Sequence, residues 1–361
     1  MIIFARFWIL IALVLMIPFG ALMAESEGQQ ELLFFLSGGS TYHQITSDDD
    51  RQENDFILAA DIIYSYLKDD YRFLAEYILS TEESELERFQ FGWQADEDVL
   101  LWAGRFHSPA RYWNSAYHHG QYLQTSISRP LAEKFEDEDG ILPTHVTGVM
   151  LETTQKLQGA DGLHTIFSLG TTSVIGDQEL IPFDLLDANS KNKIAFDLRL
   201  AYLPDQLGEN QIGLLFNWSD IMVDDSKIAE QQELQGVEQR IVGLYLDWRK
   251  EKWRVLSNLI YVDNQMEKQS GIQSDAFSTI YFQSEYEVNQ DWKIFGRLED
   301  TSGVSNSEYL DLFPDAVIQR EMIGLRFDIF KNHALTLEVS NLKTQSENLD
   351  QLWLQWSAVL P

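Results

Sequence analysis

The chain contains no cysteine. That removes disulfide frameworks, thiolate zinc sites, iron–sulfur clusters and cysteine nucleophiles. Positive charge is also scarce: 26 Lys+Arg stand against 57 Asp+Glu, a formal net charge of −31. General nucleic-acid binding is excluded, because it needs clustered cations to displace counterions from phosphates. Beyond the N-terminus no stretch has the roughly 18 or more uninterrupted apolar residues of a membrane-spanning helix. No glycine-rich phosphate loop, zinc-protease helix or dinucleotide fingerprint occurs. What is present is a 361-residue acidic chain, 45% hydrophobic and 12% aromatic. A chain of that length can bury a core.

Residues 1–24 read as an export signal. Arg6 precedes an apolar run over 7–17, Pro18 and Gly20 break it, and Ala21-Leu22-Met23-Ala24 follows. The run is short for an anchor and has the pattern of a cleaved secretory signal peptide. Residues 25–30 form a lead-in, so fold reasoning starts at Glu31. Export leaves a periplasmic protein or an outer-membrane barrel, and periodicity separates them.

Apolar side chains recur at every second position. Phe56, Leu58, Ala60, Ile62, Tyr64 and Tyr66 share one face against Asp55, Asp61 and Ser65; Tyr71, Phe73, Ala75, Tyr77 and Leu79 oppose Arg72, Glu76 and Ser80. The pattern returns at 89–93, 194–202, 212–218, 242–248 and 323–329. Each run predicts a strand of about ten residues, the length a tilted strand needs to cross a bilayer. About sixteen such segments fit between Glu31 and Leu360, so the expected fold is all-β, a transmembrane antiparallel barrel over 31–361. Short connections at 68–70, 95–98, 158–162, 250–252, 289–291 and 331–333 alternate with longer ones at 43–54, 107–140, 173–191, 224–236, 263–276 and 301–316. Tight periplasmic turns and long external loops give a barrel this asymmetry. Tyr71, Trp93, Tyr202, Trp253 and Trp292 fall toward strand ends, where aromatic girdles form.

The longest connection follows the fifth strand. It opens on Trp102-Ala103-Gly104-Arg105-Phe106-His107-Ser108-Pro109-Ala110-Arg111-Tyr112-Trp113-Asn114 and continues through Tyr117-His118-His119-Gly120. It returns at Gly140-Ile141-Leu142-Pro143-Thr144-His145-Val146-Thr147-Gly148. These runs resemble uncharacterised porin-like outer-membrane proteins, and the Gly-Arg-Phe strand exit followed by a proline is more distantly similar to phosphate-selective porins. The likeness is confined to this stretch; elsewhere the chain matches through barrel periodicity alone. It implies a channel whose third external loop, 107–140, folds inward as a constriction, and assembly as a homotrimer. No solute specificity comes with it.

If the apolar faces meet lipid, Arg72, Arg88, Arg105, Arg199, Arg249, Lys293, Arg297, Arg320 and Arg326 point into the lumen, because arginine facing hydrocarbon costs a few kcal/mol. Asp55, Asp61, Glu76, Asp197, Asp247, Glu299 and Asp328 share that interior. Opposed rows would set a transverse field across a polar constriction; wall salt bridges are the alternative. Within the loop, Arg105, Arg111, His118, His119 and Arg129 are candidates either for attracting anions or for anchoring. Acidic runs at 48–50, 136–139 and 224–225 either meet lipopolysaccharide through divalent cations or are simply solvated.

Adjacent His118 and His119 lack ligand spacing, so neither metal nor cofactor is expected. Ser108 beside His107 is adjacency without a triad, and no enzyme is expected. The reading is an outer-membrane porin passing small hydrophilic solutes, anions among them, by passive diffusion. Its competitors are a plugged structural barrel that binds a partner or lipopolysaccharide, and a periplasmic β-rich binding protein.

Overall fold

The computed structural model describes residues 28–361 except 47–50, 82–83, 119, 177, 186–191 and 224–232. The export signal, His119 and the acidic runs at 48–50 and 224–225 lie outside the described residues. The wall consists of β1 (Gln29–Thr46), β2 (Arg51–Lys68), β3 (Tyr71–Ser80), β4 (Ser84–Asp96), β5 (Val99–His107), β6 (His145–Lys156), β7 (Gly162–Thr171) and β8 (Ile194–Leu203). It continues through β9 (Gln211–Val223), β10 (Leu234–Lys250), β11 (Trp253–Lys268), β12 (Gly271–Glu287), β13 (Trp292–Ser302), β14 (Gln319–Phe330), β15 (His333–Lys343) and β16 (Asn348–Leu360). Each strand pairs antiparallel with its sequence neighbours, and β1 closes on β16 from Phe34↔Leu360 to Thr46↔Asn348. The result is a closed 16-stranded antiparallel barrel. Closure leaves no unpaired edge. In the β7–β8 connection, Val174–Ile175 and Leu180–Ile181 form a small ribbon that adds to the end of β9 at Met222↔Val174.

Alternation decides which way each side chain faces. On β10, Leu244 is 51% exposed and its neighbour Tyr245 only 2%. Phe91, Val149, Leu214, Leu259, Phe282, Leu298, Ile323, Val339 and Leu354 join Leu244 in an exposed apolar belt around the wall. Asp197, Gln239, Asp247, Gln283, Arg297, Glu299 and Glu338, on the opposite phase, are buried. A continuous apolar exterior over a polar interior inverts the arrangement of a water-soluble domain. Near the short turns Tyr71, Trp93 and Trp253 are exposed. Trp292 stacks on Phe327 across the same rim at 4.3 Å.

Two connections differ from the sequence expectation. Residues 43–54 and 263–276 read as long loops, but β1 and β2 stay paired to Ile45↔Arg51, and β11 and β12 to Lys268↔Gly271. Their polar residues hydrogen-bond across the ladder, as Asn264 Nδ2 does to Asp275 Oδ1 at 2.9 Å. Loss of apolar alternation there marks departure from the belt, while the sheet continues.

β5 needs a special residue. Gly104 has φ +133°, and a Cβ built there would sit 2.0 Å from the Phe89 carbonyl oxygen. After it the regular alternation stops, and Arg105, Phe106 and His107 are all buried. Gly271 has a similar φ of +130° with nothing within 4 Å. Gly271→Ala should therefore show only backbone strain, about 1–3 kcal/mol. Gly104→Ala should cost more, because backbone must also move. Urea midpoints of the refolded barrel measure both; equal losses would mean that the Phe89 contact imposes nothing.

Candidate functional site

The long connection 108–144 is fixed at its base, where Ser108 N–H donates to the Thr144 carbonyl at 2.6 Å. A short helix, α1 (Tyr112–Tyr117), follows the Ser108–Arg111 turn. Its aromatics meet the inner faces of β8 to β12: Tyr112, Trp113 and Tyr117 cluster with Ala201, Leu215, Tyr245, Leu256 and Tyr281. Tyr112 stacks on Tyr245 at 4.4 Å and donates its hydroxyl to Asp247 at 2.6 Å. Arg254 holds the same carboxylate with two hydrogen bonds of 2.9 and 2.7 Å. Ser108 donates to Asp197 at 2.7 Å, as do Ser168 at 2.7 Å and Asn217 at 2.9 Å.

Residues 121–133 then run past β12 to β15, and wall side chains substitute for a backbone ladder. Arg326 donates to the carbonyls of Tyr122 and Gln124 at 2.8 and 2.6 Å. Glu338 accepts the N–H groups of Ile127 and Ser128 at 3.0 and 3.2 Å and also the Ser128 hydroxyl. Arg297 reaches the Ser128 carbonyl at 3.0 Å, Arg320 that of Arg129 at 3.0 Å, and Glu299 accepts Leu131 N–H at 2.8 Å. Each backbone group out of water must find a partner. Leu131, Ala132, Ile141 and Leu142 complete the docking in an apolar cluster with Ile175, Leu180, Tyr309, Leu310 and the inner faces of Ile241, Ile260 and Phe277.

Two glutamates of this segment are buried with opposite outcomes. Burial raises the Glu133 carboxyl to about 7, although the Arg111 charge and hydrogen bonds from Asn258 and Trp113 N–H pull it down. Burial also pushes Glu136 upward, but the charge of His145 and donors from His145, Thr144 N–H and Ser173 outweigh it and hold the carboxyl at about 2. The acidic run at 136–139 is thus mixed: Glu136 is 2% exposed, while the Asp139 side chain is 75% exposed.

The cations expected in the lumen are nearly all engaged. Arg297 and Arg320 meet Glu299, Arg326 and Lys293 meet Asp328, Arg88 meets Glu76, and Arg72 donates to Gln94 at 2.6 Å. Arg105 is held by Glu85 and the carbonyls of Glu87 and Phe183. Arg249, with its side chain 42% exposed, meets Glu209 near the short turns. Arg129 bonds Asn114, the His118 carbonyl and Glu138. His118 lies beside His107, with ring centroids 5.9 Å apart. Arg111 is fully buried, its charge near those of Glu133 and Asp197. Asp61 is buried on β2, while Asp55 is exposed.

Arg199, like Arg111, is left with unpaired guanidinium nitrogens among the described residues. Its Nε and Nη1 have no hydrogen-bond partner among the described residues. It lines a cavity of about 220 Å³ with Arg88, Gln90, Trp102, Pro109 and Ser115, between β3–β8 and the start of the segment. Leu74 and Trp102 also line a cavity of about 710 Å³ toward the short turns, with Gln29, Ser65 and Arg72. Sequence reasoning missed Glu133, Glu285 and Glu338 as anchors. A carboxylate on a lumen-facing phase is visible in the sequence; its partner, 210 residues away for Glu338 and Ser128, is not.

Glu338→Ala should leave three buried donors of 127–128 unmet, a loss of about 1–3 kcal/mol for each that water does not reach. Faster proteolysis within 121–130 and a lower urea midpoint are the readouts; unchanged protection would show that this anchor is redundant. The carboxyls also give a pH dependence with a definite sign. The Glu136 contribution is present above its ordinary 4.5 and lost as pH falls toward 2. The Glu133 contribution is complete below 4.5 and lost as pH rises through 7. Hydrogen exchange over 111–145, corrected for intrinsic rates, should lose protection in both directions, and Glu133→Gln should abolish the alkaline loss alone.

No family model matches the chain, and no curated protein does. Among solved structures it is similar to an anion-selective porin from Comamonas acidovorans, at 10% identity over 92% of this chain and 100% of that one, TM-score 0.57. It is similar also to the outer membrane channel DcaP of Acinetobacter baumannii, at 11% identity over 93% and 99%, TM-score 0.58. OmpF of Salmonella typhi, in complex with daunomycin, aligns at 12% identity over 92% and 97%, TM-score 0.56. At these identities the likeness is one of fold, and the fold is that of a porin-type barrel spanning nearly the whole chain.

Proposed function

We propose that the chain is an outer-membrane channel for passive diffusion of small hydrophilic solutes, narrowed by an inward-folded segment 108–144. The observation that carries this reading is the union of an apolar outer belt with a polar interior to which that segment is tied. Solutes pass beside Arg249, Arg254 and Arg326, where a cavity of about 240 Å³ lies, and along the β3–β8 side, where the cavities bounded by Trp102 lie. There Arg199 supplies a cation that makes no hydrogen bond to a carboxylate, while Glu152 on the same cavity is held by His164 and Trp102, an arrangement that favours anions. Lipopolysaccharide and further copies of the chain are the partners that fit such a setting. Ser108 donates its hydroxyl to Asp197 and so serves to anchor the start of the segment.

Planar-bilayer recording of the refolded barrel tests the proposal. Discrete conductance steps are expected; a silent bilayer with a folded, heat-modifiable barrel would instead favour the plugged reading. Arg199→Glu should move the reversal potential toward cations, and an unchanged potential would remove Arg199 from the selectivity argument. Leu244→Arg, at the middle of the belt, should destabilise the barrel by about 2–4 kcal/mol in lipid. Tolerance of that charge in bilayer refolding assays would place this face away from hydrocarbon.

A further inference from the structure

The two ends of the long connection bring two imidazoles together. His107 ends β5, His145 begins β6, and the two are cross-strand partners with ring centroids 5.1 Å apart. Glu87 joins them from β4, at a register shift opposite Glu76 and Tyr77. Such a bulge re-aims a side chain. All three residues are buried, at 0% exposure for Glu87, 5% for His107 and 4% for His145.

Ligand geometry fits. One potential ligand atom from each residue lies within 4.8 Å of the other two. Glu87 Oε2 is 2.7 Å from His145 Nε2 and 3.9 Å from His107 Nε2. Ligand atoms around a tetrahedral zinc, each about 2.0–2.1 Å from it, stand about 3.3 Å apart, so the two distances bracket that spacing. The outward nitrogens are held as well: His107 Nδ1 faces the Asn114 carbonyl at 3.2 Å and His145 Nδ1 faces Glu136 at 2.8 Å. Metal-binding histidines are oriented in this way, by a carbonyl or carboxylate on the other nitrogen.

Charge and access point in the same direction. His145 lies between two buried carboxylates, so one imidazolium leaves a negative charge over. A dication with neutral imidazoles balances both. The neighbouring Arg88 is paired with Glu76, and Arg105 with Glu85. His107 forms part of the wall of the 220 Å³ cavity, which supplies an entry path.

We infer that Glu87, His107 and His145 bind one divalent transition cation of the zinc class, with Glu136 as the residue that positions His145. Two nitrogens and one carboxylate oxygen select zinc, copper, nickel or cobalt over magnesium and calcium. The ion would tie β4, β5 and β6 where segment 108–144 leaves and re-enters the wall. Calorimetric titration of the refolded, heat-modifiable full chain with Zn²⁺ should show one equivalent bound, with proton release; Mg²⁺ should not bind there. Co²⁺ should give the visible spectrum of a low-symmetry, four- or five-coordinate ion. Glu136→Gln should weaken Zn²⁺ binding about 10–100-fold. His107→Gln and Glu87→Gln, which keep size and polarity, should abolish the stoichiometric site, and His333→Ala, far from it in the ladder, should leave it intact. Absence of Zn²⁺ binding, or binding undiminished in both His107→Gln and Glu87→Gln, overturns the site and leaves the metal-free His145 bridge between two glutamates.

Discussion

A carboxylate taken out of water must be met by donors, and inside this barrel much of the supply comes from chain that would otherwise be loop. Asp197, Asp247, Glu285, Glu299 and Glu338 project from different wall strands, and each accepts from a residue between 108 and 131. Burying an ion costs several kcal/mol, so an interior of this kind is tenable only when the partners are in place. The dependence is mutual. Backbone groups at 122, 124, 127, 128, 129 and 131 find their partners in wall arginines and glutamates. Wall charge and segment path are therefore one arrangement, and neither is stable alone.

The arrangement is lopsided. Anchors lie on β8 to β15, and the cluster of Leu131, Ile141 and Leu142 with Tyr309, Leu310 and the Val174–Ile181 ribbon fills the same side toward the long connections. Space remains along β3 to β8, where Trp102 borders two cavities, and toward the short turns of β10 to β14, where Arg249, Arg254, Lys293 and Arg326 line another of about 240 Å³. Paired charges contribute little field at a distance, so the net charge of −31 says little about the field inside the barrel.

The wall was legible in the sequence because a strand's period of two writes its orientation into every second residue. Phe89, Phe91 and Trp93 announce their face without reference to any other part of the chain. Period two is local, however, and cannot say what meets a side chain once it points inward. Arg297 and Arg326 read either as part of a field across water or as wall salt bridges; they pair with Glu299 and Asp328 and also hold the backbone of residues 169 and 202 positions away. Glu136 read as one of a solvated acidic run because nothing in 136–139 reveals that His145 and Ser173 converge on it. Residues 43–54 and 263–276 show the reverse failure: polar composition suggested loops where the strand ladders run on to Ile45↔Arg51 and Lys268↔Gly271.

The distribution of anchors also bears on whether the segment can move. A gate needs a hinge and a second arrangement of comparable energy. Here the base is closed by Ser108 and Thr144, both ends are flanked by buried histidines, and the middle is held by Glu338, Arg297, Arg320 and Arg326. Swinging 108–144 away from the wall would separate several of these groups at once and expose their charges to an interior that offers no substitutes. Because the groups share partners, as Arg297 and Arg320 share Glu299, their losses do not add independently. Such a network holds segment 108–144 to the wall strands as one unit.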